Sequence, residues 1–193
     1  MSSIDSEQAL LKLKEGNERF VSKKCIHPNQ SAERQAEVVK GQHPFAAILG
    51  CSDSRVPPEI LFDQGVGDLF IIRVAGNILS EEILGTIEYA AEHLGIPLVL
   101  VLGHQKCGAV QAAVRGGEVP GKIQRLVEAL QPALAKAKSL SGDLVENTVR
   151  ANVERVVDLL KKSNPIMTEL IHAGKIKVVG GYYSLETGRV TVL

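Results

Sequence analysis

Three short apolar runs punctuate this chain: Phe45 to Leu49, Leu69 to Val74 and Leu98 to Leu102. Each is apolar on both alternating faces and closes on glycine-bearing sequence, namely Gly50-Cys51, Ala75-Gly76-Asn77 and Gly103-His104. A strand that is apolar on both faces is covered on both faces. Helix-like sequence follows each run, so the pattern predicts buried parallel strands joined by helical crossovers. Such crossovers are right-handed almost without exception. Lys175 to Val179 reads as a fourth strand, parallel by the same rule. Tyr182 to Leu193 carries a Glu186-Thr187-Gly188 turn and reads as an edge hairpin.

Between these runs the apolar positions recur at helical spacing. Ser6 to Val21 places Leu10, Leu11, Leu13, Phe20 and Val21 among charged residues, with Asp5 or Ser6 as its cap. Ser22 to Pro44 is polar, holds the pairs His27-Pro28 and His43-Pro44, and contains a short helix from Ala32 to Lys40 that Gly41 stops. Further helices are predicted over Ser80 to His93, Cys107 to Arg115, Ile123 to Leu140 and Leu144 to Lys162. The expected fold is α/β, a central, mostly parallel β-sheet flanked by helices. An N-terminal helical arm spans 1–44, an α/β core spans 45–193, and an edge hairpin ends the chain, all within a single domain of 193 residues.

Composition narrows the function classes. Lys plus Arg and Asp plus Glu number 22 each, so no basic excess points to nucleic acid or an anionic membrane, and a near-neutral surface favours self-association. The longest apolar stretch, Ile96 to Leu102, contains Pro97 and is too short to span a bilayer. The first residues lack the basic start and apolar run of a signal peptide. Three cysteines, Cys25, Cys51 and Cys107, argue against a disulfide framework. The expected compartment is the cytoplasm, with a microcompartment or an organelle lumen left open.

The chemistry lies at two strand ends. Gly50-Cys51-Ser52-Asp53-Ser54-Arg55 follows the first strand and Gly103-His104-Gln105-Lys106-Cys107-Gly108 the third. An open parallel sheet binds its ligands outside the carboxyl ends of its strands, so Cys51, His104 and Cys107 are brought toward one crevice. Two thiolates and an imidazole suit zinc, and three protein ligands leave a tetrahedral position open, as at catalytic sites. Two thiolates make the ion a weaker Lewis acid, and backbone N–H groups donating to the sulfurs restore part of that acidity. Asp53 and Arg55, two apart in a loop, can form a bidentate pair. An Asp so held accepts a hydrogen bond and orients a hydroxide; released, it becomes a fourth zinc ligand that closes the site. Without such neighbours, Cys51 and Cys107 read as buried free thiols and Asp53–Arg55 as an exposed ion pair. Cys25 reads as a partly buried free thiol.

The two motifs together resemble the signature pair of the β-class carbonic anhydrases. The likeness runs from Glu15-Gly16-Asn17-x-Arg19-Phe20 to Gly181-Tyr182-Tyr183. It implies a zinc enzyme with one Zn2+ per chain that interconverts carbon dioxide and bicarbonate through attack of zinc-bound hydroxide. It further implies Cys51, His104 and Cys107 as zinc ligands and Asp53 and Arg55 as the catalytic dyad. Gln42 would approach the substrate from a partner subunit, and Phe70 and Tyr89 would line the apolar pocket. The assembly would be a homodimer or tetramer whose N-terminal helix reaches over its neighbour. Two departures stand out. Many members carry Arg-Asn-Val-Ala-Asn where this chain has Arg73-Val74-Ala75-Gly76-Asn77, so Ala75 replaces a pocket valine. Bicarbonate-inhibited members carry tryptophan where this chain has Ile48, which resembles the subclass that keeps water on zinc. His27, His43, His93 and His172 are equal candidates for a proton shuttle. Hydrolysis of carbon disulfide or carbonyl sulfide on the same site, and a purely structural zinc, are the rival readings.

Overall fold

Every predicted apolar run is a strand. In the computed structural model, which describes residues 4–193, β1 is Ala46–Gly50, β2 is Leu69–Arg73 and β3 is Leu98–His104. The first three residues of the expected arm lie outside the described residues. Two more strands, β4 (Lys177–Tyr183) and β5 (Val190–Val192), complete a five-stranded sheet of order β2-β1-β3-β4-β5. β1 pairs in parallel with β2 and β3, β3 pairs in parallel with β4, and β5 closes the sheet antiparallel to β4. The edge hairpin is therefore β4–β5. The fourth strand runs past Val179 through Gly180-Gly181, a pair that propensity reads as a break. These glycines serve close packing instead: a Cβ at Gly180 would lie 2.7 Å from Val153 Cγ1.

The helices are α1 (Ser6–Val21), α2 (Ala32–Val38), α3 (Pro58–Leu61), α4 (Glu81–His93), α5 (Gly108–Arg115), α6 (Ile123–Ala137), α7 (Leu144–Lys161) and α8 (Ile166–His172). Asp5 and Gln8 form a reciprocal capping box at the start of α1, and Ser31, Ser80 and Asp143 cap α2, α4 and α7 through their side chains. α2 stops at Val38, before Lys40, and α6 stops at Ala137, before Leu140. The sequence pattern misses α3 and α8. They have four and seven residues, too few to repeat an apolar face.

Strand alternation divides the core into two layers. Ile48 of β1 and Leu98, Leu100 and Leu102 of β3 pack with Leu10 and Leu13 of α1, Phe62, Val110 of α5 and Leu130 of α6. Ala47, Leu49, Val99 and Val101 pack on the other side with Ile87 of α4, Val153, Val156 and Leu160 of α7, and Met167 of α8. Ala9, Leu10 and Leu13 of α1 are buried on this chain's own sheet. Asn17 fastens the helix there, donating from Nδ2 to the carbonyls of Leu61 (3.0 Å) and Gly188 (2.9 Å) and accepting from the Val190 N–H (2.8 Å). Asp63 anchors the rest of the arm, accepting from Arg19 Nε at 2.6 Å and from the N–H groups of Ile26 and His27.

Candidate metal centre

The sheet order turns at β1, which has β2 on one side and β3 on the other, and a crevice opens beyond the strand ends at such a point. Cys51 follows β1 directly, His104 is the last residue of β3, and Cys107 caps α5. Lys106 adopts a left-handed backbone, φ 55°, which turns the chain sharply enough for Cys107 to face back toward His104. A Cβ at Gly103 would lie 2.6 Å from Val153 Cγ2, so glycine there lets β3 end tight against α7.

The three side chains converge. The Cys51 and Cys107 sulfurs are 3.9 Å apart, and the ligand atoms of Cys51, His104 and Cys107 all lie within 4.8 Å of one another. His104 Nδ1 is 2.9 Å from the Gln105 carbonyl, which only accepts, so Nδ1 carries the proton and Nε2 presents a lone pair. Nε2 is buried and has no hydrogen-bond partner. A buried orphan of this kind is costly. The orphan faces two thiols, and the donor set fits zinc in type and number. Among the described residues no fourth His, Cys, Asp or Glu joins this group. The Cys51 thiol is held far below its usual range, chiefly by a hydrogen bond from Cys107 and further by the Gly76 N–H at 3.3 Å. The same contact with Cys51, together with burial, pushes Cys107 up. Cysteines bind a metal as thiolates, so metal binding at this pair would release protons.

Asp53 and Arg55 form the bidentate pair. Arg55 Nε donates to Asp53 Oδ1 at 2.9 Å and Nη2 to Oδ2 at 2.7 Å, and the Arg55 N–H adds a third bond at 3.0 Å. Hydrogen bonding from Arg55 outweighs partial burial and holds the Asp53 carboxyl down at about 2. Arg55 also donates to the Lys106 carbonyl, bridging the two site loops. Asp53 Oδ2 lies 4.0 Å from His104 Nε2 while remaining in the grip of Arg55.

Residues that the sequence pattern did not single out support these loops. Arg73 donates from Nε to the Cys51 carbonyl (2.9 Å) and from Nη2 to the Asp53 carbonyl (2.6 Å). Its one visible signal is a lone charge at the end of an apolar run. Gly76, φ 72°, supplies the expected backbone N–H to a sulfur. Gln105 and Lys106 are tied to the β4–β5 turn, Gln105 accepting from the Glu186 N–H and Lys106 pairing with the Glu186 carboxylate at 3.1 Å.

The remaining candidates stand outside the metal-ligand group within one chain. Gln42 is exposed between α2 and β1. Phe70, on β2, packs with the layer opposite the one that holds Cys51 and Cys107. Tyr89, on α4, is 48% exposed, its ring 6.4 Å from that of Phe70 and 5.1 Å from that of His93. His27, His43, His93 and His172 are all exposed.

Known proteins resemble this chain in sequence and in fold. Residues 46–190 match the carbonic anhydrase family profile. The chain is 41% identical over 184 residues to carbonic anhydrase 2 of Mycobacterium tuberculosis, covering 93% of this chain and 89% of that one. A Coccomyxa β-carbonic anhydrase solved in complex with acetazolamide superposes with a TM-score of 0.75 at 28% identity, covering 96% of this chain and 85% of that one. A tetrameric β-carbonic anhydrase from Sordaria macrospora shares the fold, with a TM-score of 0.77 at 24% identity over 96% of this chain and 97% of that one.

Proposed function

This chain belongs to the β-class carbonic anhydrases, and on that premise we propose that it hydrates carbon dioxide reversibly, using one zinc ion held by Cys51, His104 and Cys107. The observation that carries the proposal is the buried, partnerless His104 Nε2 facing two thiols. When bound, zinc lowers the pKa of a water toward neutrality and so supplies a hydroxide nucleophile, the effect known from three-histidine carbonic anhydrases.

The chain's own residues orient and confine the reaction. Asp53, kept ionised by Arg55, has only lone pairs to offer. It would accept a hydrogen bond from the single O–H of a hydroxide supplied there, and so turn that oxygen's lone pairs toward the carbon of the substrate. Arg55 performs a second task. Three bonds to Asp53 and one to Lys106 keep the carboxylate from becoming a fourth ligand, so we assign the open arrangement. Arg73 holds the backbone of Cys51 and Asp53 in register with each other. A structural zinc would call for a fourth protein ligand, whereas three residues converge among those described.

Gln42, Phe70 and Tyr89 complete the site as its substrate wall, supplied by a second copy of the chain. The exposure of Gln42 and Tyr89, and the position of Phe70 on the opposite layer from the cysteines, support this source over the same chain. The functional unit is then a homodimer or a larger assembly of dimers. No helix among the described residues is long and apolar enough to cross a membrane. Two thiols 3.9 Å apart that must stay reduced to bind metal support a cytoplasmic setting.

Metal removal tests the proposal. Treatment with a chelator should abolish carbon dioxide hydration, and stoichiometric zinc should restore it. Hydration that persists in metal-free protein would sink the assignment.

A further inference from the structure

Asn152 sits in the middle of α7, 1% exposed, on a helix otherwise buried through Val149, Val153, Val156 and Leu160. A leucine of similar size would suit such a helix better, because a buried amide must be hydrogen-bonded to recover its desolvation cost. The Asn152 amide makes one side-chain hydrogen bond: Nδ2 donates to the Gly76 carbonyl at 2.9 Å, while Oδ1 has no partner. Half of its polar capacity is therefore left unpaired to secure a single contact. That contact falls on the residue whose N–H donates to Cys51 Sγ at 3.3 Å.

Gly76 is narrowly fitted between these two bonds. Its φ of 72° is a conformation that L side chains rarely adopt, and a Cβ there would meet Ala109 Cβ at 3.2 Å and Leu130 Cδ1 at 3.3 Å. With the carbonyl held from one side, the N–H of the same residue is aimed at the sulfur on the other.

We propose that Asn152 is a positioning residue for the metal centre: by holding the Gly76 carbonyl it keeps the Gly76 N–H on the Cys51 sulfur and limits how strongly that sulfur donates to the metal. The inference rests on the zinc reading above and adds a third layer to it, from helix to glycine to ligand. A hydrogen bond to a thiolate withdraws electron density from it, which leaves the cation the stronger Lewis acid. Asn152 thus offsets part of the neutralisation that two thiolates impose.

The test compares wild-type protein with Asn152→Leu, which keeps the volume and removes the donor. Zinc affinity is measured by chelator competition, and the thiolate-to-metal charge-transfer band is recorded after loading with cobalt(II). Loss of the Gly76 contact leaves Cys51 the stronger donor, so it should raise zinc affinity by about 10-fold and move the cobalt band to longer wavelength. A variant that merely melts earlier, with affinity and band unchanged, overturns the role. Should Asn152→Leu fail to fold, Asn152→Ser, whose hydroxyl is too short to reach Gly76, is read in the same way. Wild-type protein that takes up neither metal overturns the zinc reading itself. An unchanged variant beside a loaded wild type overturns only the part given to Asn152.

Discussion

Cys51, His104 and Cys107 are 4%, 1% and 1% exposed, whereas Tyr89 is 48% exposed and Gln42 lies in an open segment. Both sets flank the same sheet, yet they are held differently. The three candidate ligands converge within one chain, on loops fastened by Arg73, Gly76, Arg55 and the Glu186 turn. The proposed substrate wall consists of side chains that one chain leaves exposed or only partly covered. On the proposed reading the difference separates metal binding, set by the fold of the chain, from substrate binding, set by its assembly.

The largest effect should come from the ligand set. Cys107→Ala removes one of three donors and should leave the purified protein without zinc; a variant metallated at one ion per chain would overturn that residue's assignment. Asp53→Asn comes next. The amide presents N–H donors where an acceptor is needed, so zinc should remain while hydration falls by about 100-fold. Full activity in this variant would remove the dyad from the mechanism.

The wall should respond more gently. Tyr89→Ala should keep its zinc and lose hydration by about 10-fold, the scale of a changed apolar pocket. Mixing this variant with Asp53→Asn sharpens the comparison. In a mixed dimer, one site would combine the intact dyad of one chain with the intact Tyr89 of the other, so activity should recover. No recovery in a sample shown to contain mixed dimers would place the wall within the same chain.

The smallest effect concerns the arm. Burial raises the Asp63 carboxyl, but Arg19 and the Ile26 and His27 N–H groups outweigh it and hold the group below its usual value. A carboxyl depressed in the folded state stabilises fully above its unfolded pKa of about 3.9 and loses that contribution as the pH falls through the lower, folded value. Asp63→Asn should therefore cost about 1–2 kcal/mol at neutral pH. In denaturant titrations the gap to wild type should shrink in acid below about pH 4. A gap that stays constant into strong acid would contradict the ion-pair account.

The strands were legible because β1 and β3 are apolar on both faces, and their ends carried the chemistry in plain view. The extension of β4 through Gly180-Gly181 was not, since its reason is close approach by Val153, which belongs to another element. The ligand set and the Asp53–Arg55 pair were legible from residue type and strand position. Arg73 and Asn152 were hidden for a different reason. Their partners are backbone groups distant in sequence, Asn152 and Gly76 being 76 residues apart, and no spacing rule encodes such a contact. Gln42, Phe70 and Tyr89 came from resemblance alone, and nothing local in the sequence distinguishes them from ordinary loop and core residues.

Stopped-flow carbon dioxide hydration from about pH 6.5 to about pH 9, with zinc content measured on the same sample, tests the central claim most directly. The account predicts one zinc per chain and rapid hydration already near neutral pH, because Arg55 keeps Asp53 off the metal. Activity that appears only in alkali would contradict the open arrangement. One zinc per chain with no hydration at any pH would contradict the three-ligand catalytic centre itself.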